Sequence, residues 1–183
     1  DKLWPTNEVW DLHVRCNPYD PTRQTFLDQQ KWLATEHFGT ITGLYDFVKK
    51  SEATQSEHLK ADMEFHRSRY PDCAGGLVWM YNDTWPCGSW SILDYYMTKK
   101  SGYYALQRAS QPILPIMTYH SDGYKVFVVN DTQKACHGSL RIAQYRLDGS
   151  LVQDAVMDFV ANPGKSNLAS ELSRFDVQLA DTM

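Results

Sequence analysis

The 183-residue chain has little excess charge of either sign. Eighteen Lys and Arg stand against 22 Asp and Glu, a formal net charge of −4. Its adjacent lysines are only the pairs Lys49-Lys50 and Lys99-Lys100. Neutralising a phosphate backbone takes a basic stripe, so no nucleic acid is expected as a partner. No apolar stretch approaches a membrane span, and no membrane partner is expected either. The four cysteines, Cys16, Cys73, Cys87 and Cys136, are scattered without a C-x-x-C, which argues against a zinc site and favours small buried or half-buried thiols. H-E-x-x-H, G-x-G-x-x-G, a phosphate loop and a Ser-His-Asp order are all missing, and the reading assigns no cofactor and no metal. The opening residues do not read as a signal peptide. The chain opens without Met at Asp1-Lys2-Leu3-Trp4, which predicts an excised or processed start.

What is abundant is aromatic surface: 13% of residues, with six Trp and eleven Tyr. Aromatic rings fill cores and also serve as platforms for the C–H faces of sugars, so composition leaves both uses open.

Up to about Pro112 the patterning is helical around one apolar run. The spacing predicts a helix over 22–37, carrying Phe26, Leu27, Trp32 and Leu33 and ended by Gly39. A short helix over 44–50 has Leu44, Phe47 and Val48 on one face. Ser51 is placed to cap a third over 52–70, with Leu59, Met63, His66 and Tyr70 in one stripe and Pro71 as its stop. His66 there reads as a satisfied interface histidine rather than a ligand. Residues 76–81, Gly-Leu-Val-Trp-Met-Tyr, form a continuous apolar run of the kind seen in strands buried on both faces. A last helix is expected over 102–109. One buried strand among helices needs partner strands that the chain does not supply.

After Pro112 short β-type runs at 113–119, 124–129, 139–147 and 151–159 alternate with turn signals at Asp122-Gly123, Asp148-Gly149 and Asn162-Pro163-Gly164. Regular short strands predict a β-sandwich, with fewer strands than the roughly seven of an immunoglobulin-type one. It is expected to be incomplete.

The densest polar-aromatic segment follows the apolar run, from Trp79 through Asn82, Asp83, Trp85, Ser89, Trp90 and Ser91 to Asp94. Ligand sites gather at the C-terminal ends of parallel strands, and sugars take carboxylate and amide hydrogen bonds together with an indole face. The plainer reading makes Trp79 and Trp90 core residues and gives Asp83 and Asp94 local turn or pairing roles. Asp83 and Asp94 lie on one loop, whereas a retaining glycosidase needs two carboxyls about 5–5.5 Å apart across one anomeric carbon. Asn82 and Asn130 each open an N-x-T triplet.

The run Gly75-Gly76-Leu77-Val78-Trp79-Met80-Tyr81-Asn82-Asp83-Thr84-Trp85-Pro86, continued by Ser89-Trp90-Ser91-Ile92-Leu93-Asp94-Tyr95, resembles the eighth barrel strand and following loop of glycoside hydrolase family 2. Lys100, Tyr103, Tyr104, Ala105 and Pro112 continue the resemblance, and Trp4-Pro5 with Trp10-x-x-His13 resembles the segment after the seventh strand. Asn82-Asp83 and Trp85 favour the β-mannosidase branch. The stretches at 94–97 and 102–104 also resemble exo-β-glucosaminidases, some of which carry Ser in place of Asp83. The resemblance implies an α/β part at 1–112, the C-terminal helices and last strand of a (β/α)8 TIM barrel, followed at 113–183 by an all-β, immunoglobulin-like sandwich. It implies a retaining, exo-acting enzyme on terminal β-mannosyl or related residues of oligosaccharides. Both glutamates would precede Asp1, so no catalytic residue is assigned here, and this piece alone is expected to be inactive. Trp79, Asn82, Asp83 and Trp85 are the expected substrate-binding residues, and the rest of the parent enzyme is the expected protein partner. The compartment is left unassigned, a periplasmic or secreted parent being only a guess. The rival reading is a non-catalytic carbohydrate-binding module using Trp85 and Trp90.

Overall fold

The computed structural model describes residues 7–13 and 26–173. The readings placed on Trp4-Pro5, Cys16 and the first residues of the 22–37 helix lie outside them. Four helices come first, α1 (Glu8–Leu12), α2 (Phe26–Phe38), α3 (Leu44–Ser68) and α4 (Ser101–Ala109). Five strands follow, β1 (Ile113–His120), β2 (Gly123–Asn130), β3 (Cys136–Tyr145), β4 (Leu151–Ala161) and β5 (Lys165–Ser173). The described residues cluster into two compact units. One runs to Asp62 and resumes over Gly76–Ala109; the other takes Met63–Gly75 and everything from Ser110.

In the first unit, Asn7 caps α1 by accepting from the Val9 and Trp10 amides. Buried Trp10 meets Phe47 of α3 at 5.6 Å. Gly39 ends α2 as expected: its φ of +74° suits the glycine, and its N–H returns to the Thr35 carbonyl at 2.8 Å.

The expected pair of helices at 44–50 and 52–70 is one helix. Ser51 does not cap; its hydroxyl bonds the Val48 carbonyl at 3.1 Å inside α3, the back-bonded role a mid-helix serine adopts. The true entry into α3 is signalled by Asp46, which accepts from the Thr42 amide and hydroxyl.

Helix α4 buries Gly102, Ala105, Leu106 and Ala109, an i, i+3, i+4, i+7 stripe. Gly102 makes a close crossing of α3 possible, since a Cβ there would lie 2.9 Å from Leu59 Cδ1 and 3.0 Å from Gln55 Oε1.

The expected buried strand over 76–81 is not formed. The segment has no regular secondary structure, and Leu77, Trp79 and Tyr81 are 103%, 78% and 57% exposed. Its Trp79–Met80 peptide is cis, as is Tyr70–Pro71. A strand exists by ladder hydrogen bonds to neighbours, and an apolar run is buried only when layers cover both faces. Among the described residues of this unit no strand stands beside it, so the pattern is present and its partners are not.

In the second unit β1, β2 and β5 form an antiparallel sheet in the order β1-β2-β5, while β3 and β4 form a separate hairpin. The turn signals act where expected: Gly149 at φ +85° closes β3 to β4, and Gly164 at φ +66° precedes β5. The polar strand β5 was not among the runs read from the sequence.

The core of this unit is Ile116, Val126, Val128, Val129 and Ala161 around a fully buried Asn130. That amide donates to the Lys134 and Ala161 carbonyls and accepts from the Thr132 amide and hydroxyl. Its N-x-T triplet is therefore sealed from modification. Arg67 forms an ion pair with Asp131, and His66 Nδ1 sits 3.6 Å from Cys73 Sγ, a local contact within the unit. A cavity of about 410 Å3 lies between the two sheets, lined by Met117, Tyr124, Ile142, Met157 and Leu172 among others.

Replacing Gly102 by Ala should lower stability by about 1–3 kcal/mol in urea denaturation, because Gln55 and Leu59 must move to admit the methyl. Gln55 is held in place by bonds from Nε2 to the Trp90 and Ser91 carbonyls at 2.8 and 3.2 Å. An unchanged midpoint would mean that the two side chains yield freely.

Candidate functional site

The loop after the apolar run is closed on itself by backbone bonds. The Asp83 amide donates to the Leu93 carbonyl at 3.1 Å, Leu93 to Tyr81 at 3.0 Å, and Lys100 to Ile92 at 3.0 Å. These isolated bridges bring 81–83, 92–93 and 99–100 alongside one another without making a sheet. At the far end Asp94 takes the Thr98 amide on its carboxylate at 2.7 Å, which is a turn role, and Met97 adopts φ +65°.

Asp83 sits at the centre, 2% exposed. One of its oxygens accepts from the Ser89 hydroxyl and from the Cys87 thiol at 3.7 Å. The other accepts from the Ser91 hydroxyl at 2.7 Å and from Lys100 Nζ at 3.3 Å. Lys100 also reaches the Ser91 hydroxyl at 2.8 Å. Burial is the largest single influence on this carboxyl and would raise its pKa; the bonds from Ser89 and Ser91 and the Lys100 charge outweigh it and hold the group below the ordinary 3.8. A group held ionised, with its oxygens already engaged, is no proton donor near neutral pH and no free nucleophile. Asp83 is chemically a fastener.

The other expected site residues stand apart from that network. Trp79 is 78% exposed and belongs to no core, so the plainer reading of it as core fails along with the buried strand. Asn82 is exposed and its amide donates to the Asp83 carbonyl at 3.2 Å. Trp85 is 37% exposed and stacks on His13, ring centres 5.3 Å apart at 21°. A cavity of about 180 Å3 opens beside the network, lined by Glu52, Gln55, Cys87, Ser89 and Lys100 with residues of α2 and α3; none of the four expected residues lines it. Trp85 and half-buried Trp90 belong to the helical unit rather than to the sheets, which is not the self-contained sandwich that a carbohydrate-binding module predicts.

Ser89, Ser91 and Lys100 are not among the residues that the sequence marks as a site, although the two serines lie in its dense polar-aromatic segment. The signal that assigns their role is chemical: a buried carboxylate requires donors and a counter-charge.

No protein-family model matches the chain. An exo-β-D-glucosaminidase of Amycolatopsis orientalis is 32% identical over 82% of the chain, and the β-mannosidase B of Aspergillus niger is 26% identical over 92%. Among solved structures, the β-D-mannosidase of Dictyoglomus thermophilum superposes with a TM-score of 0.75 at 28% identity over 82% of the chain. The exo-chitosanase of A. orientalis gives 0.69 at 25% identity over 90%. The chain is homologous to the β-mannosidases and exo-β-glucosaminidases of glycoside hydrolase family 2. It spans 14% of the length of the glucosaminidase and 21% of that of the mannosidase.

Lys100→Met should destabilise the chain by about 3 kcal/mol at neutral pH, since one partner of a buried pair is left behind. Asp83, ionised below its ordinary pKa in the fold, adds stability that is complete above about pH 4 and is lost as pH falls from there through its folded value. Asp83→Asn should therefore show a shallower acid limb than wild type in urea titrations between about pH 5 and 2. Parallel limbs would mean that Asp83 is not linked to folding.

Proposed function

We propose that the chain is the C-terminal part of a retaining, exo-acting β-glycosidase that removes terminal β-mannosyl or related residues from oligosaccharides. In this reading 1–112 is the end of a (β/α)8 barrel and 113–183 an immunoglobulin-like sandwich. Trp79, Asn82, Asp83 and Trp85 belong to the wall of the terminal-sugar subsite, Asp83 by fastening the loop on which the others stand. The proton donor and the nucleophile come from carboxylates outside these 183 residues.

The observation that carries this reading is the state of 76–81. An apolar run patterned for burial on both faces, with Leu77, Trp79 and Tyr81 exposed and no ladder, is a strand that needs its sheet. The two carboxylates of the loop add chemical support from the other side. Asp83 is engaged by its serines and lysine, and one oxygen of Asp94 accepts from the Thr98 amide of its turn. Retention needs two carboxyls about 5–5.5 Å apart, one of them protonated at the working pH, and Asp83, held ionised, is not that proton donor.

Purified chain incubated with aryl β-mannosides, β-galactosides and β-glucosaminides should show no turnover above buffer, beside an active full-length family 2 β-mannosidase as control. Turnover that survives repurification and disappears in Asp83→Asn would overturn the proposal. In the full-length enzyme carrying this chain, Trp79→Ala should lower kcat/KM by about two powers of ten through misplacement of the reacting ring. Kinetics near wild type would remove Trp79 from the subsite.

A further inference from the structure

We propose that the cavity between the two sheets is a docking surface for the chain's own continuation beyond β5, with Phe175, Val177 and Leu179 as the side chains that fill it. The cavity belongs wholly to the second unit, so its filling is independent of the glycosidase reading.

The space measures about 410 Å3, and Met117, Tyr124, Ile142, Ala155, Met157 and Leu172 are among its walls. Ile142 and Ala155 are register partners in the β3–β4 hairpin, and Tyr124 and Leu172 are partners across β2 and β5. Two apolar faces therefore look at each other, yet Met117 remains 56% exposed. Sheets packed face to face interdigitate their side chains, and interiors are filled to the density of organic crystals. A cavity of roughly 150 Å3 admits one benzene-sized group, so this one has room for two or three.

The polar rim argues against a small ligand as the occupant. Ligand pockets present convergent polar groups that are free to bond a guest. Here Gln153 donates to the Gln144 side-chain oxygen at 3.2 Å, and the Asp154 carboxylate takes Arg141 at 2.8 Å. The rim bonds to itself, and what the walls lack is apolar volume.

That volume follows directly in the sequence. Strand β5 ends at Ser173, next to Leu172 of the cavity wall. The next residues are Arg174-Phe175-Asp176-Val177-Gln178-Leu179, a strict alternation that gives an extended chain one apolar and one polar face. Three apolar side chains match the room available. Within β5 it is Leu172 that lines the cavity, and an unbroken ladder would carry Arg174, Asp176 and Gln178 to the same side. Gly123 with Ser173 is the last pair of that ladder, so no further bonds to β2 hold the phase. A shift of one residue beyond Ser173 turns the apolar set inward, and β5 already makes such a shift opposite Val126 and Phe127.

The test is peroxide oxidation of methionines, read residue by residue by mass spectrometry on the full-length protein that carries this chain. Met117 and Met157 should oxidise about tenfold or more slowly in the folded protein than in urea. Leu179→Asp should speed both by about fivefold or more, while Gln178→Asp, on the opposite face, should leave them within about twofold. Met80, in the other unit, should keep its rate in both variants. If Leu179→Asp raises every methionine together, the fold is lost and Val177→Ala decides: faster oxidation confined to Met117 and Met157 supports the docking, and unchanged rates overturn it. Oxidation of Met117 in the folded wild type at the rate seen in urea would overturn it by showing an open cavity. Protection that survives Leu179→Asp in a folded protein would assign the cover to another segment and overturn it as well. None of these rates reads glycoside cleavage, so the glycosidase reading stands or falls separately.

Discussion

The first unit depends on one requirement: the carboxylate of Asp83, buried to 2% exposure, must find enough donors to offset the loss of water. Ser89, Ser91 and Lys100 supply them, and to do so the chain must leave Asp83, turn, and come back within hydrogen-bonding distance at three separate points. That return sets where α4 begins, because Ser101 follows Lys100 directly and is gripped by the Glu52 carboxylate through both its amide and its hydroxyl. It also sets how near α4 comes to α3, which only a glycine at 102 permits. A single charged group thus links loop closure, helix entry and helix packing. The same bonds explain why Asp83 is unsuited to chemistry: reactive carboxylates keep an oxygen free and a pKa near the working pH, and this one does neither.

The second unit solves a similar problem with a neutral group. Asn130 is fully buried, and its amide is satisfied by the Lys134 and Ala161 carbonyls on one side and by Thr132 on the other. It ties the end of β2 to the end of β4 and to the start of β3, while the Gly164 amide returns to the Asn130 carbonyl at 2.8 Å just before β5. The five strands therefore converge at one well-bonded end. The cavity of about 410 Å3 between the sheets lies towards the other end, near Tyr124 and Leu172, where the facing layers are incompletely filled.

Homology adds a scale to these local findings. Relatives with glycosidase names match nearly the whole chain, yet the chain spans only about a seventh to a fifth of their length. Within that segment Asp83 is a structural fastener, its carboxylate engaged by Ser89, Ser91 and Lys100.

Much of this was legible in the residues themselves. Periodicity and turn chemistry are local, so α2 and its Gly39 terminus, α4, the hairpin turns and four of the five strands could be read directly, as could the concentration of polar and aromatic groups from Trp79 to Asp94. Local rules failed where two of them competed. Ser51 has the chemistry of a cap and also of a tolerated mid-helix residue, and only the packing of α3 chooses between them. Strand β5, Lys-Ser-Asn-Leu-Ala-Ser-Glu-Leu-Ser, has too few apolar residues to announce itself and exists because β2 offers it a ladder. The run at 76–81 shows the converse, a strong strand pattern that forms no strand among the described residues. The partnership of Asp83 with Lys100, and of Trp85 with His13 across more than seventy residues, could not be read from spacing at all, because contacts between distant segments are decided by how buried charges and rings are satisfied in three dimensions.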